Sequence, residues 1–582
     1  MQRITIHRLF GTLLRWSLLL GCLLLIGTHI AAKTVTLVDG IAYVGVIVLI
    51  KLLFFPHPIL KISTDTSDWI CIGGAIIIHL FLLSVFASIP WHFHFDEFIV
   101  AYTSLTLPPL AQINWFGAYP PMWVAQFPLL FYIFQKPFLL FGPSIWAVRI
   151  SVWPYAIGIL IYLYFLVKSM WSKQLARIAV LIFVFFAPEL YITSTGLHFI
   201  SSEFFYLAAL THFILFMKTK STGHLFPLTL YIVVCYLTYT SSYAVVPVVL
   251  ISALILVIWN RLERRLVLSS VAKVLIAALI LFLPFLLYHF LDTPFLTQRI
   301  SQVNIVNGSW STTADKLKSG MSMGAIVTKQ AKDAFSSLII PGIGGMGGYE
   351  YGHRALLTPM EGILFIVGCI MLFGMVLKKQ WVFPVSYGVL MMIPFITGFV
   401  LTTHPPPFHR ISILYPWICI PIALAVDLIA GGIGRYTQTK KDIYVVVLVI
   451  VTGIYSLVHV VGMIQGDKIY TNWDSVRITR FIEQTVKPGL PILIGADNIN
   501  FHYFYELTFR FGIKRTVSIK GKDEAVNSFQ GNGPLLLRSA SDENITRILM
   551  RYPDIRVYHE AEHLPFLDIT LIIPPSSFID SQ

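Results

Sequence analysis

Residues 69–90 read WICIGGAIIIHLFLLSVFASIP, an apolar stretch that carries no charge after Asp68. About 20 apolar residues are enough for a helix to cross the roughly 30 Å hydrocarbon core of a bilayer. Similar runs recur along the chain, in which 56% of the 582 residues are hydrophobic and 12% are charged. A soluble domain carries about 25% charged residues. The sequence therefore predicts an all-α polytopic membrane protein.

The charges between these runs predict how the helices are oriented. Lys and Arg collect in cytoplasmic loops, and every basic cluster falls inside when the amino terminus is placed inside. The carboxyl terminus is then outside, and the net charge of +13 follows from these loops, with no single basic patch for a nucleic-acid partner. About thirteen transmembrane helices are predicted, over residues 10–32, 38–55, 69–90, 144–167, 175–192, 197–217, 224–240, 241–259, 271–291, 361–377, 381–401, 411–430 and 443–465.

The apolar runs and the loops between them divide the chain into three parts. Residues 1–68 hold two additional helices, and residues 69–465 form a core with long outer loops at 91–143 and 292–358. Residues 466–582 have the composition of a small extracytoplasmic α/β domain. Its expected elements are strands over 490–495 and 569–573 and amphipathic helices over 474–486 and 542–550.

A cluster of ionisable side chains follows the run that ends at Pro90. Residues 91–98 read WHFHFDEF, which places Asp96 and Glu97 at the mouth of a membrane helix. Ionisable groups are costly there and often mark a site. A partly desolvated carboxylate has a raised pKa and can act as a general base. We predict that Asp96 is a catalytic base, the alternative being that both carboxylates are solvated loop charges.

Two histidines beside these carboxylates raise the question of a metal. His92, His94 and Asp96 would project to one side of an extended segment. Such a set could bind Zn²⁺ or Mn²⁺. Interfacial histidines with ordinary hydrogen bonds are the commoner case, so we predict no metal and keep these three residues as the candidate ligands.

Further polar residues lie at the predicted outer ends of later helices. Glu203 stands one turn inside an apolar helix that begins near His198. It is either a functional group or a neutral glutamic acid that is hydrogen-bonded within the bundle. His409 and Arg410 open a later helix, where a guanidinium and free N–H groups suit an anion. The alternative for Arg410 is an arginine that extends to the interface. Arg299 is a further anion-binding candidate.

The outer loop 292–358 contains a glycine-rich tract that matches a known fingerprint only in form. Gly342, Gly344 and Gly347 have the spacing of a dinucleotide-binding loop. That loop requires a preceding buried strand and a βαβ unit, and the tract lies between membrane helices. We therefore predict a mobile loop over the outer face.

Several short motifs together resemble the glycosyltransferases of superfamily C, in particular the protein mannosyltransferase and aminoarabinose transferase branch. The resemblance covers roughly residues 69–430. His198 stands where that family usually has arginine, and Glu203 where it usually has aspartate. The similar segments are Asp96-Glu97 with Tyr119-Pro120-Pro121, Ala147-Val148-Arg149-Ile150-Ser151, residues 188–203, and His409-Arg410-Ile411-Ser412-Ile413-Leu414-Tyr415-Pro416.

This resemblance implies an activity and roles for the candidate residues. A sugar would move, with inversion, from a polyprenyl-phosphate donor to a hydroxyl of a protein, lipid or glycan at the extracytoplasmic face of the plasma membrane. Asp96 would deprotonate the acceptor, and Glu97 would position the acceptor or the base. Arg410 and His409 would hold the donor phosphate. The remaining substrate-binding candidates are Arg299, His198, Glu203 and Tyr119.

Two other functions are compatible with parts of the sequence. A metal-dependent oligosaccharide transferase would use His92, His94 and Asp96. A lipid-linked sugar transporter or flippase would place ionisable groups near the bilayer midplane and show repeated halves. Here the charges cluster at predicted outer helix ends, which favours an enzyme.

Overall fold

The computed structural model describes most of the chain, with gaps mainly in loops and in the carboxyl-terminal part. The described residues are 2–58, 64–88, 97, 100, 103–104, 107–117, 135–141, 145–259, 264–291, 295–306, 308, 311–345, 351–378, 382–402, 406–466, 481–495, 516–538, 541–560 and 569–578.

Most of this part is helical, as predicted. The helices are α1 (Gln2–Ala31), α2 (Leu37–Phe54), α3 (Thr66–Ser88), α4 (Lys136–Phe141), α5 (Ile145–Ile150), α6 (Trp153–Met170), α7 (Lys173–Phe185), α8 (Ala187–Thr193), α9 (Phe199–Thr219), α10 (Leu225–Tyr236), α11 (Val245–Trp259), α12 (Arg264–Leu291), α13 (Phe295–Val303), α14 (Thr313–Lys318), α15 (Met323–Ser337), α16 (Pro359–Leu377), α17 (Val382–Phe395), α18 (Tyr415–Thr437), α19 (Lys441–Gly466), α20 (Lys522–Ser528) and α21 (Asp542–Arg551).

The apolar helices agree with the predicted spans in position. In the described part, ten helices are long and apolar enough to cross a membrane, and the bent pair α7–α8 would make an eleventh. Two shorter apolar helices, Thr222–Tyr236 and Tyr387–Val400, overlap the remaining two predicted segments. The chain is thus a multi-pass helical membrane protein. The number of crossings and their direction stay predictions.

A proline divides the fifth predicted span into α7 and α8, which meet at an angle of 56°. Pro188 has no N–H, so the carbonyl of Val184, four residues earlier, loses its helical donor. The buried His79 of α3 supplies a replacement, with its Nδ1 3.1 Å from that carbonyl oxygen. The bend directs α8 and the turn after it towards the start of α9.

The helix bundle has one end with a cluster of ion pairs. Asp68, fully buried, accepts hydrogen bonds from the Tyr164 hydroxyl and the Lys168 ammonium, each at 2.6 Å. Asp65 pairs with Lys173 at 2.7 Å. These contacts join α3, α6 and α7 at the end that the sequence predicts to be cytoplasmic. We call the opposite end, where residues 97, 107–117, 194–198 and 351–358 lie, the loop end.

The two amino-terminal helices contact the first long loop. Trp115 lies against Gly40 of α2, with its ring atoms 3.1 Å from where a Cβ would stand. Phe116 packs edge-on against Tyr43 of α2 and Phe285 of α12. Helix α2 of this pair therefore supports loop residues 115–116.

The carboxyl-terminal part contains a five-stranded sheet with the order β2-β1-β3-β5-β4. The neighbours of β1 are parallel to it, whereas β5 runs antiparallel to β3 and β4. Helices α20 and α21 pack on this sheet, which confirms the predicted α/β composition, although the proposed domain boundaries stay predictions. The strands are β1 (Ile492–Gly495), β2 (Val517–Lys520), β3 (Leu535–Arg538), β4 (Arg556–Glu560) and β5 (Ile569–Ile573).

Candidate functional site

Glu97 forms a buried ion pair with Arg149 of α5 at the loop end. The Arg149 Nε lies 2.7 Å from Glu97 Oε1 and its Nη2 lies 3.2 Å from Oε2, the two-point geometry that suits a guanidinium and a carboxylate. Arg149 also donates to the Ala87 carbonyl at the end of α3. Both charged side chains are fully buried. This pair anchors the beginning of the loop 91–143 to the helix that follows that loop.

Gly196, in the turn between α8 and α9, forms hydrogen bonds with residues near both ends of the loop 91–143. Its N–H donates to Glu97 Oε1 at 2.9 Å, and its carbonyl accepts from the Gln135 amide at 3.3 Å. Gln135 in turn accepts from the Ser104 hydroxyl at 2.7 Å. A Cβ at position 196 would lie 2.3 Å from a methyl group of Val148, so only glycine allows this approach.

A cluster of aromatic and imidazole rings lies beside this turn. The His198 ring is 5.5 Å from the Tyr239 ring, and Phe199 is 5.0 Å from His409. The Tyr239 and His409 rings are 6.2 Å apart. Since Gly196 binds Glu97 and stands two residues before His198, the structure brings Glu97, His198 and His409 to one region.

Arg410 follows His409 in a 3-10 turn, Phe408–Leu414, that precedes α18. Both side chains are buried, with 4% of His409 and 5% of Arg410 exposed. Such burial fits a guanidinium directed into the protein better than one extending to the interface. Their role as phosphate ligands stays a prediction.

Glu203 lies in the interior of the bundle and faces Glu189 of α8. Both side chains are fully buried. Thr193 donates to Glu189 Oε1 at 2.6 Å. The other three oxygens of the two carboxyl groups have no hydrogen-bond partner among the described residues. Both interpretations of Glu203, as a functional group and as a neutral glutamic acid, stay predictions.

Several predicted site residues cannot be placed. Asp96, His92, His94 and Tyr119 lie outside the described residues. Arg299 belongs to α13, but its side chain is outside the described part as well. Within the described part, no group of three or more His, Cys, Asp or Glu side chains could hold a metal ion.

Sequence reasoning missed three residues that build this region. Arg149 stood in a quoted motif without a role, and Gly196 and Glu189 were assigned none. A signal existed for two of them, because Arg149 and Glu189 are charges inside apolar segments, which are costly without a partner. Nothing local distinguished Gly196.

An apolar groove of about 330 Å³ runs between α16 and α17 and reaches the turn that carries Arg410. It opens on the side of the bundle, where 64% of Phe373 and 41% of Met392 are exposed. Its lining residues are Phe335, Leu338, Phe365, Cys369, Leu372, Phe373, Val376, Tyr387, Gly388, Met391, Met392, Phe395, Ile411, Leu414 and Ile418.

Comparisons with solved structures find membrane glycosyltransferases. An oligosaccharyltransferase from Archaeoglobus fulgidus, in complex with Zn and sulfate, is similar at 10% identity and a TM-score of 0.46, over 80% of this chain and 68% of that one. ArnT from Cupriavidus metallidurans, bound to undecaprenyl phosphate, is similar at 12% identity and a TM-score of 0.45, over 87% and 98%.

A third similar structure is the arabinosyltransferase EmbB from Mycobacterium smegmatis. It has 10% identity and a TM-score of 0.40, over 87% of this chain and 47% of that one, so the chain spans about half of its length. These structural neighbours are superfamily C glycosyltransferases, the superfamily that the motifs resemble. No protein-family profile matches the sequence, and no curated protein sequence does.

Proposed function

We propose that this protein is a membrane glycosyltransferase that moves a sugar from a polyprenyl-phosphate donor to a hydroxyl-bearing acceptor at the loop end. The donor is an amphiphile with a long apolar chain, an anionic phosphate and a polar sugar. The single observation that carries the proposal is that an apolar groove reaches the turn that also carries the buried His409 and Arg410. We assign the loop end to the extracytoplasmic face of the plasma membrane.

The groove suits the chain of such a donor, and the turn suits its phosphate. Ile411 and Leu414 line the groove, and His409 and Arg410 directly precede them in the same 3-10 turn. A chain lying between α16 and α17 would therefore reach the turn that carries Arg410. Arginine stabilises phosphate oxygens well because it offers several N–H donors in a fixed plane.

The ion pair of Glu97 suits a positioning role for this residue. Its Oε1 accepts from both the Arg149 Nε and the Gly196 N–H, and its Oε2 accepts from Arg149 Nη2. Both oxygens of the Glu97 carboxylate are thus engaged, and Asp96 is its neighbour in the chain. We assign Glu97 to hold Asp96 in place and Asp96 to act as the base.

In the proposed reaction, Asp96 removes the proton of the acceptor hydroxyl as its oxygen attacks the anomeric carbon from the face opposite the phosphate. The bond between that carbon and the phosphate oxygen breaks, and the electron pair leaves with the phosphate. Arg410, with His409, stabilises this charge. The product is the inverted glycoside, and the proton on Asp96 is released to water. No metal ion takes part in this scheme.

The test uses the purified full-length protein in nanodiscs. The donors are synthetic undecaprenyl-phosphate sugars, and the acceptors are glycans, glycolipids and proteins from cells in which the gene has been deleted. We expect transfer by the wild type, loss of transfer in Asp96→Asn, and normal transfer in the matched control Asp65→Asn at the opposite end of the bundle. Near-normal transfer by Asp96→Asn would contradict the assignment of the base. Movement of the donor across a vesicle membrane without transfer would support a transporter instead.

A further inference from the structure

A chain of two tyrosine hydroxyls ends at the turn that carries His409 and Arg410. The Tyr415 hydroxyl donates to the Phe408 carbonyl at 3.2 Å. The Tyr351 hydroxyl lies 3.0 Å from the Tyr415 hydroxyl. Because Tyr415 has one proton and gives it to Phe408, Tyr351 is the donor in the second bond. Burial raises the pKa of Tyr351 well above its ordinary value, so this hydroxyl keeps its proton.

The glycine-rich tract lies against the residues that precede the same turn. Gly345 N–H donates to the Pro406 carbonyl at 2.9 Å. A Cβ on Gly344 would stand 2.3 Å from the Phe408 ring, so the absence of a side chain allows this approach. Gly342, at a φ of +78°, donates to the His353 carbonyl at 2.8 Å. The described part of the tract is thus bonded both to the turn and to the segment that carries Tyr351.

Tyr351 occupies a backbone conformation that is rare for a side-chain-bearing residue. Tyr351, Gly352 and His353 have φ values of +48°, +62° and +56°, three consecutive left-handed residues. Strain of this kind persists only where the surroundings enforce it and is often found at functional sites. Here a Cβ on Gly352 would stand 2.6 Å from the carbonyl oxygen of Gly462 in α19.

The consequence of this conformation is a buried tyrosine that faces the site from a loop. The Tyr351 ring lies 4.4 Å from the Tyr191 ring of α8 and 5.2 Å from the Phe408 ring. Tyr191 belongs to the same short helix as Glu189. One side chain therefore contacts both the helix that leads to Gly196 and the start of the turn with Arg410.

We propose that Tyr351 is a positioning residue that acts through Tyr415 to set the place of His409 and Arg410 for the donor phosphate. The inference deepens the proposed function and rests on it for the identity of the ligand. The hydroxyl chain defines where the Phe408 carbonyl stands, and the glycine tract holds Pro406 and Phe408 from the other side. Neither tyrosine needs to contact the donor.

The test compares Tyr351→Phe, Tyr415→Phe and the double variant in the full-length protein. The ligand probe is undecaprenyl phosphate in detergent micelles. Tyr351→Phe loses one buried hydrogen bond, and Tyr415→Phe loses two, because its hydroxyl takes part in both. We expect Tyr351→Phe to weaken binding about five- to tenfold and Tyr415→Phe to weaken it at least as much. The double variant should bind no more weakly than Tyr415→Phe, because the first hydroxyl acts only through the second. In the transfer assay the donor KM should rise while kcat at saturating donor is unchanged.

The matched control is Tyr43→Phe, which removes a hydroxyl that donates to the Leu281 carbonyl at 2.8 Å between other helices. It should leave donor binding unchanged. A double variant whose defect equals the product of the two single defects would refute action through Tyr415, as would single variants that bind normally. A fall in kcat with unchanged donor KM would also overturn the assignment.

Hydrogen exchange separates a failure of this inference from a failure of the proposed function. Backbone amides of residues 408–414 should exchange faster in Tyr351→Phe than in the wild type, without any ligand. Unchanged exchange would overturn the positioning role even if the protein is a transferase. If the wild type does not bind undecaprenyl phosphate but Tyr351→Phe still exchanges faster, the proposed donor is refuted. The coupling between Tyr351 and the turn is then supported.

Discussion

Replacing Arg149 by glutamine tests how the first long loop is held at the site. The variant leaves the Glu97 carboxylate in a fully buried position without its cation. Removing one partner of a buried pair costs about 3–5 kcal/mol, because the remaining charge is uncompensated. Since about 1.4 kcal/mol corresponds to tenfold, the ratio of docked to undocked loop should fall by roughly a hundredfold to several thousandfold.

The expected result is a large loss of transfer with a modest loss of overall stability. The pair joins a loop to a short helix, so undocking of residues near 97 relieves the buried charge without unfolding the bundle. We expect kcat/KM for transfer to fall by about 100-fold or more, while the amount of folded protein in the membrane changes little. The measurements are initial rates in nanodiscs and size-exclusion profiles of the purified variants.

Two further variants decide whether the charge is the cause. Arg149→Lys keeps the charge but loses the two-point geometry, and we expect an intermediate loss of about tenfold. The double variant Arg149→Gln with Glu97→Gln removes both charges and keeps an acceptor for the Gly196 N–H. It should recover most of the activity lost in Arg149→Gln. Transfer by Arg149→Gln within twofold of the wild type, or no recovery in the double variant, would refute the reasoning.

Three other changes probe separate parts of the site. Gly196→Ala places a methyl group against Val148 and should destabilise docking of the loop by about 1–3 kcal/mol, with a matching loss of transfer. The control is Gly74→Ala, whose methyl group meets no atom within 4 Å. It should behave as wild type in both thermal stability and transfer rate. Arg410→Ala should raise the Kd for undecaprenyl phosphate at least tenfold, since a hydrogen-bonded charge contact is worth about 1.5–3 kcal/mol; normal binding would move the phosphate site elsewhere. Transfer should persist in EDTA, and its loss with recovery in Mn²⁺ would instead favour a site at His92, His94 and Asp96.

The positions of the helices followed from the sequence because apolar length is a local property. Each predicted span overlaps an apolar helix, and the bend at Pro188 is where proline removes a hydrogen-bond donor. The carboxyl-terminal strands over 490–495 and 569–573 were also recognisable, since buried strands are short apolar runs bounded by turns. The helix predicted over 474–486 is described only from residue 481, where it is helical as far as residue 485.

The contacts of the glycine tract could not be predicted from the local sequence. Its place between membrane helices, without a preceding buried strand, excluded a dinucleotide site and predicted a mobile loop over the outer face. Only the folded chain shows that Gly344 lies against Phe408 and that Gly345 bonds to Pro406. A glycine is uninformative by itself, because the space that it leaves is defined by a neighbour some sixty residues away in the sequence.

The sequence by itself determined that this is a helical membrane protein with ionisable groups gathered near particular helix ends. These features can be recognised locally, because a charge beside an apolar segment is costly whichever residue later becomes its partner. Which partner each charge has was decided by the tertiary structure: Arg149, 52 residues from Glu97, forms its ion pair, and Glu189 faces Glu203. Contacts between ionisable groups depend on distances of a few ångströms between helices, and those distances arise only when the bundle packs.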